Sequence, residues 1–246
     1  MTKRFEGKLA VVTGASRGIG YQVAKGLAAE GAHIVAIART VGGLEDLDDE
    51  IQAAGGRATL VPLDLTDYDA IDRLGASIYE RWGKLDMLVG NAGLLGVLSP
   101  VSHIDPKDFE QVMAVNVTAN YRLIRSLDPL LRASEAGRAV FLTSGAAHKC
   151  RPFWGIYSIT KAALEAMART YAAETDTTSA VRVNLVSPGP MRTAMRAKAM
   201  PGEDPATLPH PSEIVGPVMD LLSPSFDQSG MLYNFPSRSL HSFTQE

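Results

Sequence analysis

Leu9-Ala10-Val11-Val12-Thr13-Gly14-Ala15-Ser16-Arg17-Gly18-Ile19-Gly20 joins a short apolar, β-branched run to three spaced glycines, and an alanine-rich helical pattern follows. An apolar run without alternation is what a strand buried on both faces requires. Glycines at such a junction let the chain turn with positive φ, let backbone N–H groups approach a pyrophosphate, and let the helix pack closely on the sheet. The spacing here is G-x-x-x-G-x-G rather than the commoner G-x-G-x-x-G. Between a first strand and a first helix, the loop reads as a nucleotide-binding turn carried by Gly14, Ser16, Arg17, Gly18, Ile19 and Gly20.

Downstream, the same succession of β-branched run and helix-length stretch repeats. Strands are expected at 9–13, 34–38, 58–62, 85–90, 139–143, 181–186 and 231–235, and helices at 19–30, 43–54, 67–82, 106–133, 155–174 and 212–222. This alternation predicts a Rossmann-like α/β fold: a doubly wound, seven-stranded parallel sheet with right-handed crossovers and helices on both faces. No repeat, low-complexity tract or linker divides the chain, so 1–246 is read as one nucleotide-binding domain. The one long irregular stretch, 188–211, is rich in proline and glycine, and loops of that length are usually functional or mobile. A lid over the substrate is expected at about 190–211, with a short helix at 194–200, a break at Pro201-Gly202, few backbone ladder bonds, and Ser212 capping the next helix.

With 246 residues and 46% hydrophobic content the chain can bury a continuous core. A formal net charge of -3 supplies no global basic field, which disfavours nucleic acid or an anionic membrane as partner. Cys150 is the single cysteine, so an intrachain disulfide and a cysteine-based zinc site are both excluded. The first apolar run, 9–12, is too short for a signal core or a membrane span, and the expected location is cytoplasmic. His33, His103, His148, His210 and His241 show no metal-ligand spacing, and no metal is expected.

At the end of the second strand, where an NAD-binding fold usually carries an acid for the ribose hydroxyls, the sequence reads Ala38-Arg39-Thr40. A carboxylate there would repel a 2′-phosphate, whereas Arg39 can form charge-assisted bonds to it and Arg17 can approach from the glycine loop. NADP(H) is therefore the expected cofactor. Further along, Tyr157 and Lys161 are four residues apart in a helical pattern and share one face. A phenol with a pKa near 10 is a poor base at neutral pH, but an ammonium and an oxidised nicotinamide beside it would stabilise the phenolate.

Thr13 to Gly20, Asn91-Ala92-Gly93, Asn116, Ser144, Tyr157, Lys161 and Pro188-Gly189 occur in an order and approximate spacing that resembles the short-chain dehydrogenases/reductases, over about residues 1–195. The resemblance implies that Tyr157 is the general acid/base and Ser144 the hydroxyl that orients the substrate oxygen. It implies that Lys161 binds the nicotinamide ribose and lowers the tyrosine pKa, and that Asn116 holds a relay water. Asn91, Ala92 and Gly93 would pack against the cofactor, Asp64 and Leu65 would meet the adenine, and Pro188, Gly189, Met191 and Thr193 would wrap the nicotinamide end. Leu94, Leu95 and Trp154 flank this site, as does Phe153, and either wall the substrate or belong to the core. His148, Lys149, Cys150 and Arg151 read as a solvated loop or as the border of a pocket for an anionic substrate.

Two features depart from the family pattern. After the last expected strand the chain reads Gly230-Met231-Leu232-Tyr233-Asn234-Phe235-Pro236, where most members carry an acid and paired glycines, so the pocket wall and subunit contact formed there are in doubt. Glu135 and Thr178 stand where the fatty-acid-synthesis reductases carry carrier-protein-docking arginines, so that activity is not assigned. The expected function is hydride transfer between NADP(H) and a small-molecule carbonyl or alcohol, with self-association as a dimer or tetramer through the alanine-rich helix of Tyr157. The alternative is an NADP(H)-binding redox sensor, which would need the glycine loop but not the proton-transfer groups.

Overall fold

The computed structural model describes residues 3–243, and the expected domain span of 1–246 therefore includes residues 1–2 and 244–246, which lie outside the described residues. Strands β1 (Leu9–Thr13), β2 (His33–Ala38), β3 (Arg57–Pro62), β4 (Met87–Gly90), β5 (Arg138–Leu142), β6 (Arg182–Ser187), β7 (Met231–Asn234) and β8 (Ser239–Ser242) form one sheet in the order β3-β2-β1-β4-β5-β6-β7-β8. The first seven pair in parallel, and strand order reverses between β1 and β4, the switch point at which doubly wound sheets bind ligands.

The expected count of seven strands is corrected to eight. β8 returns antiparallel to β7 through a turn in which Arg238 takes a φ of +50°. Ser239-Leu240-His241-Ser242 is an exposed, polar edge strand, so it lacks the apolar run that announced the others.

Helices α1 (Gly18–Ala29), α2 (Val41–Ala53), α3 (Tyr68–Trp82), α4 (Pro106–Met113), α5 (Ala119–Arg132), α6 (Ala146–Lys149), α7 (Gly155–Asp176), α8 (Ala194–Ala199) and α9 (Val215–Leu222) connect the strands. All five residues of β1 are buried, and their alternation divides the core. Ala10 and Val12 join Val23, Leu27, Leu44 and Leu221 on one face, and Leu9 and Val11 join Ile71, Leu123, Leu127 and Leu164 on the other. The stretch expected as one helix over 106–133 is interrupted by a π-helical turn at Ala114–Thr118, a distortion that often marks a functional position. None of the helices described is long and apolar enough to cross a membrane.

Candidate active site

The glycine loop is shaped by steric demand. Gly14 and Gly18 have φ values of +66° and +61°, a region that side chains rarely tolerate. At Gly20 a Cβ would stand 2.4 Å from Asn91 Nδ2 and 2.5 Å from the Gly14 carbonyl oxygen, so only glycine lets α1 come this close to the strand ends. Asn91 Nδ2 donates to the Thr13 carbonyl (2.8 Å), and Thr13 Oγ1 accepts from the N–H groups of Asn91 and Ala92 (3.0 Å each). The ends of β1 and β4 are thereby locked together around the turn. Arg17 is the exposed N-cap of α1 and provides no side-chain cap, which leaves the first helical N–H groups to an anion. Ser16 lies against Gly43 of α2, and Thr193 lies 3.5 Å from where a Gly18 Cβ would be. Ile19 packs against the α1 face of the core. This cradle fits a dinucleotide phosphate.

The end of β2 is open to solvent. Arg39 and Thr40 are exposed, and Arg39 Nη1 is 3.6 Å from Asp64 Oδ2, so the arginine assigned to a phosphate already has a carboxylate opposite it. The N–H and hydroxyl of Thr66 donate to Asp64 Oδ1 at 2.9 and 2.8 Å. The Thr66 N–H, with help from Arg39, holds the Asp64 carboxyl below the usual carboxylate range against the effect of burial. Leu65 is a buried core residue on the α3 face.

At the ends of β4 and β5 the remaining predicted groups converge. Tyr157 and Lys161 lie on successive turns of α7 and are 8% and 3% exposed. Lys161 Nζ donates to the Leu142 carbonyl at 2.7 Å and stands 5.8 Å from the centre of the Tyr157 ring. Burial pushes the Lys161 ammonium down to about 8, with Glu165 opposing that shift. Burial likewise pushes the Tyr157 phenol up to about 12, with a hydrogen bond to Ser144 pulling the other way. Loss of water prevails over the Ser144 hydrogen bond, and the lowering by Lys161 expected from the sequence is not seen. At about 12 the phenol is a proton donor at neutral pH.

Asn116, fully buried in the π turn, has its side chain committed. Its Oδ1 accepts from Leu94 N–H (2.7 Å), while Nδ2 donates to the Leu94 carbonyl (2.9 Å) and to Thr160 Oγ1 (3.0 Å). What this side chain does directly is fix the loop after β4. Gly93 keeps the space beside Lys161 open, since a Cβ there would stand 3.3 Å from Asn116 Oδ1 and 3.6 Å from Lys161 Nζ.

Leu95 and Trp154 gather around Tyr157, with Leu98, Ala146, Ala199 and Met200 completing the apolar cluster. Leu94 is absent from that cluster and is held by its backbone instead, and Phe153 is exposed at a φ of +71°. Pro188 is half-buried just past β6, and the positive φ of Gly189 faces Pro236, where a Cβ would stand 2.4 Å from Cγ. Met191, expected beside the cofactor, is a core residue at 2% exposure.

The 190–211 segment, expected as a lid, carries more ties than its composition predicts. Thr193 caps α8, Arg192 Nε donates to the Pro205 carbonyl, and Arg196 forms a two-pronged ion pair with Glu203. The following helical turn starts at Pro211 and is capped by His210 with Glu213 in a reciprocal box, not by Ser212, because proline suits a first helical position and the imidazole reaches the next N–H. Two side chains went unnoticed in the sequence: Glu165 and Thr143, which form a buried pair beside Ser144 at 2.6 Å. Glu165 follows Lys161 by one helical turn, and that spacing was the available signal.

Residues 8–204 match the family described as short chain dehydrogenase. The chain is 36% identical over 211 residues to the oxidoreductase YciK of Escherichia coli K12, covering 85% of this chain and 83% of that one. A short chain dehydrogenase of Shigella flexneri, solved with NADP, superposes with a TM-score of 0.91 at 34% identity, covering 96% of this chain and 100% of its own. Another, from Escherichia coli CFT073 with NADPH, gives 0.89 at 34% identity over 96% and 99% of the two chains.

Proposed function

The chain belongs to the short-chain dehydrogenase/reductase family, and from that premise we propose that it moves a hydride between NADP(H) and a carbonyl or alcohol whose flanks are apolar. The observation that carries the reading is the burial of Tyr157 between the Ser144 segment, Lys161 and the apolar group of Leu95, Trp154 and Met200. When bound, the reduced nicotinamide supplies the hydride that no protein side chain can furnish. In reduction, Tyr157 donates its proton to the substrate oxygen, and the Ser144 hydroxyl hydrogen-bonds the same oxygen and orients it. The Lys161 ammonium stabilises the phenolate left behind. Asn116 keeps the 93–94 loop clear of the reacting groups.

Gly14 to Gly20 would cradle the pyrophosphate, with Asn91 and Ala92 packed beneath it and Thr193 closing over Gly18. Arg39, assisted by Arg17, would recognise a 2′-phosphate, and the two similar structures solved with NADP and NADPH support that choice. Phe109, Tyr121 and Ile159 expose apolar side chains on α4, α5 and α7, which supports a symmetric homo-oligomer. Light scattering at micromolar concentration should give at least a dimer, and a monomer mass would remove that part of the proposal. The activity is tested by following nicotinamide absorbance with a library of aldehydes, ketones and alcohols. Turnover is expected with NADPH or NADP and at least one apolar carbonyl or alcohol; tight cofactor binding with no turnover of any member would favour a sensor.

A further inference from the structure

Glu165 is buried (side chain 6% exposed), yet the proton-transfer groups do not use it. A buried carboxylate is costly unless both oxygens find partners, and here both do. Thr143 Oγ1 donates to Oε1 at 2.6 Å, and His148 Nε2 faces Oε2 at 2.9 Å, carrying its proton in the tautomer that contact requires. Those partners bracket Ser144: Thr143 precedes it, and His148 lies in the four-residue helix α6 that follows it.

A helix of one turn has almost no stability of its own, so the position of Ser144 must be imposed from outside. The imposing element is α7, which grips the segment on two successive turns, through Lys161 to the Leu142 carbonyl and through Glu165 to Thr143 and His148. The outer side of His148 is backed by Phe243, stacked at 6.4 Å, over which Arg169 of α7 lies at 4.4 Å. The C-terminal hairpin that departs from the family pattern thus braces this corner.

We propose that Glu165 is a positioning residue, which clamps the Leu142–His148 corner so that the Ser144 hydroxyl and the Lys161 ammonium meet the substrate oxygen in register. The inference rests on the roles proposed above for Ser144 and Lys161. The same carboxylate also favours the charged form of Lys161. The titratable side chains that face this pair are Tyr157 on α7 and His148 on α6, and Lys149 of α6 folds back over Gly145 beside Ser144; the contact from β5, the Leu142 carbonyl, is neutral, as is Asn116 of the π turn across Gly93.

The test compares Glu165→Ala with Glu165→Gln, which keeps an oxygen for Thr143 but loses the charge. In the cofactor-free protein, Glu165→Ala should speed amide exchange in a peptide covering 145–150 by about 10-fold or more and leave α1 unaltered. It should lower kcat/KM for a carbonyl by about 100-fold, the effect of a misplacement near 1 Å, with the NADPH dissociation constant from calorimetry within about 3-fold. Glu165→Gln should restore exchange protection and most of the turnover, while its reduction activity fails at lower pH than in the parent. Unchanged exchange at 145–150 in Glu165→Ala would overturn the proposal, and so would exchange that rises throughout the chain with Glu165→Gln equally impaired. The exchange experiment reads the clamp even if the parent protein turns nothing over, so failure of the proposed activity and failure of this inference are separable.

Discussion

At the ends of β4 and β5, Asn116, Lys161 and Tyr157 are 0%, 3% and 8% exposed, and each is fixed by bonds or contacts to a neighbouring segment. At the opposite end, beyond β2, the side chains of Arg39 and Asp64 are 57% and 46% exposed and tied to each other across 3.6 Å in water. Low dielectric makes every interaction at the first end strong and every displacement costly, whereas water and salt weaken those at the second. Chemistry at the buried end should therefore be intolerant of substitution. Cofactor choice at the exposed end should be adjustable without loss of fold.

The largest effect is expected at Lys161. Lys161→Ala removes both the ammonium behind Tyr157 and the bond to the Leu142 carbonyl, so turnover should fall by about 10⁴-fold or more, at or beyond the top of the range for one acid/base group alone. The same lysine sets a pH dependence: with its ammonium pushed down to about 8 by burial, it loses its proton as pH rises through that value. Carbonyl reduction in the parent should decline over that range, and a rate profile flat to pH 10 would place the support for Tyr157 elsewhere.

At the exposed end the effect is smaller and selective. NADPH should bind more tightly than NADH by about 1.5–3 kcal/mol, roughly 10- to 150-fold, the value of hydrogen bonds to a charged group. Arg39→Asp should erase or invert that ratio in calorimetry with the melting temperature unaltered. Equal affinities in the parent would show that the arginine is an ordinary surface residue.

The smallest effect is expected at Asp64, because releasing Arg39 from an exposed ion pair is worth only about 0.2–1 kcal/mol. Asp64→Asn keeps an oxygen for Thr66 and removes the charge facing the phosphate site. It should tighten NADPH several-fold and leave NADH nearly unaltered. Equal gains for both nucleotides would mean that Asp64 acts on the adenine and not on Arg39.

Much of this division was legible in the sequence. β1 and β5 are wholly buried and apolar but for Thr13 and Arg138, so composition and structure coincide there, and the glycines at 14, 18 and 20 carry their steric reason with them. β8 was not legible, since a polar edge strand such as Ser239–Ser242 looks like a loop. Nor was the π turn around Asn116, because one wide turn between two helical stretches leaves no mark in residue type. Pairings between distant segments were also hidden: Asp64 with Arg39, and Glu165 with Thr143 and His148, are set by the sheet order and not by spacing. Hidden too were the ties within the proline-rich segment 190–211, where the carbonyls of Pro205, Ala206 and Leu208 accept from Arg192, a side chain whose reach no pattern records.

The central claim is that the buried end performs proton transfer from Tyr157 in an NADP(H)-dependent reaction. Its most direct test places Tyr157→Phe beside the parent and measures NADPH-dependent carbonyl reduction together with the NADPH dissociation constant. The substitution removes one hydroxyl from a side chain that otherwise packs with Leu95, Trp154 and Ala199, so fold and cofactor affinity should be preserved within about 3-fold. Turnover should fall by about 10²–10⁴-fold, as for loss of a general acid. Turnover equal to that of the parent, with NADPH bound normally, would contradict the account.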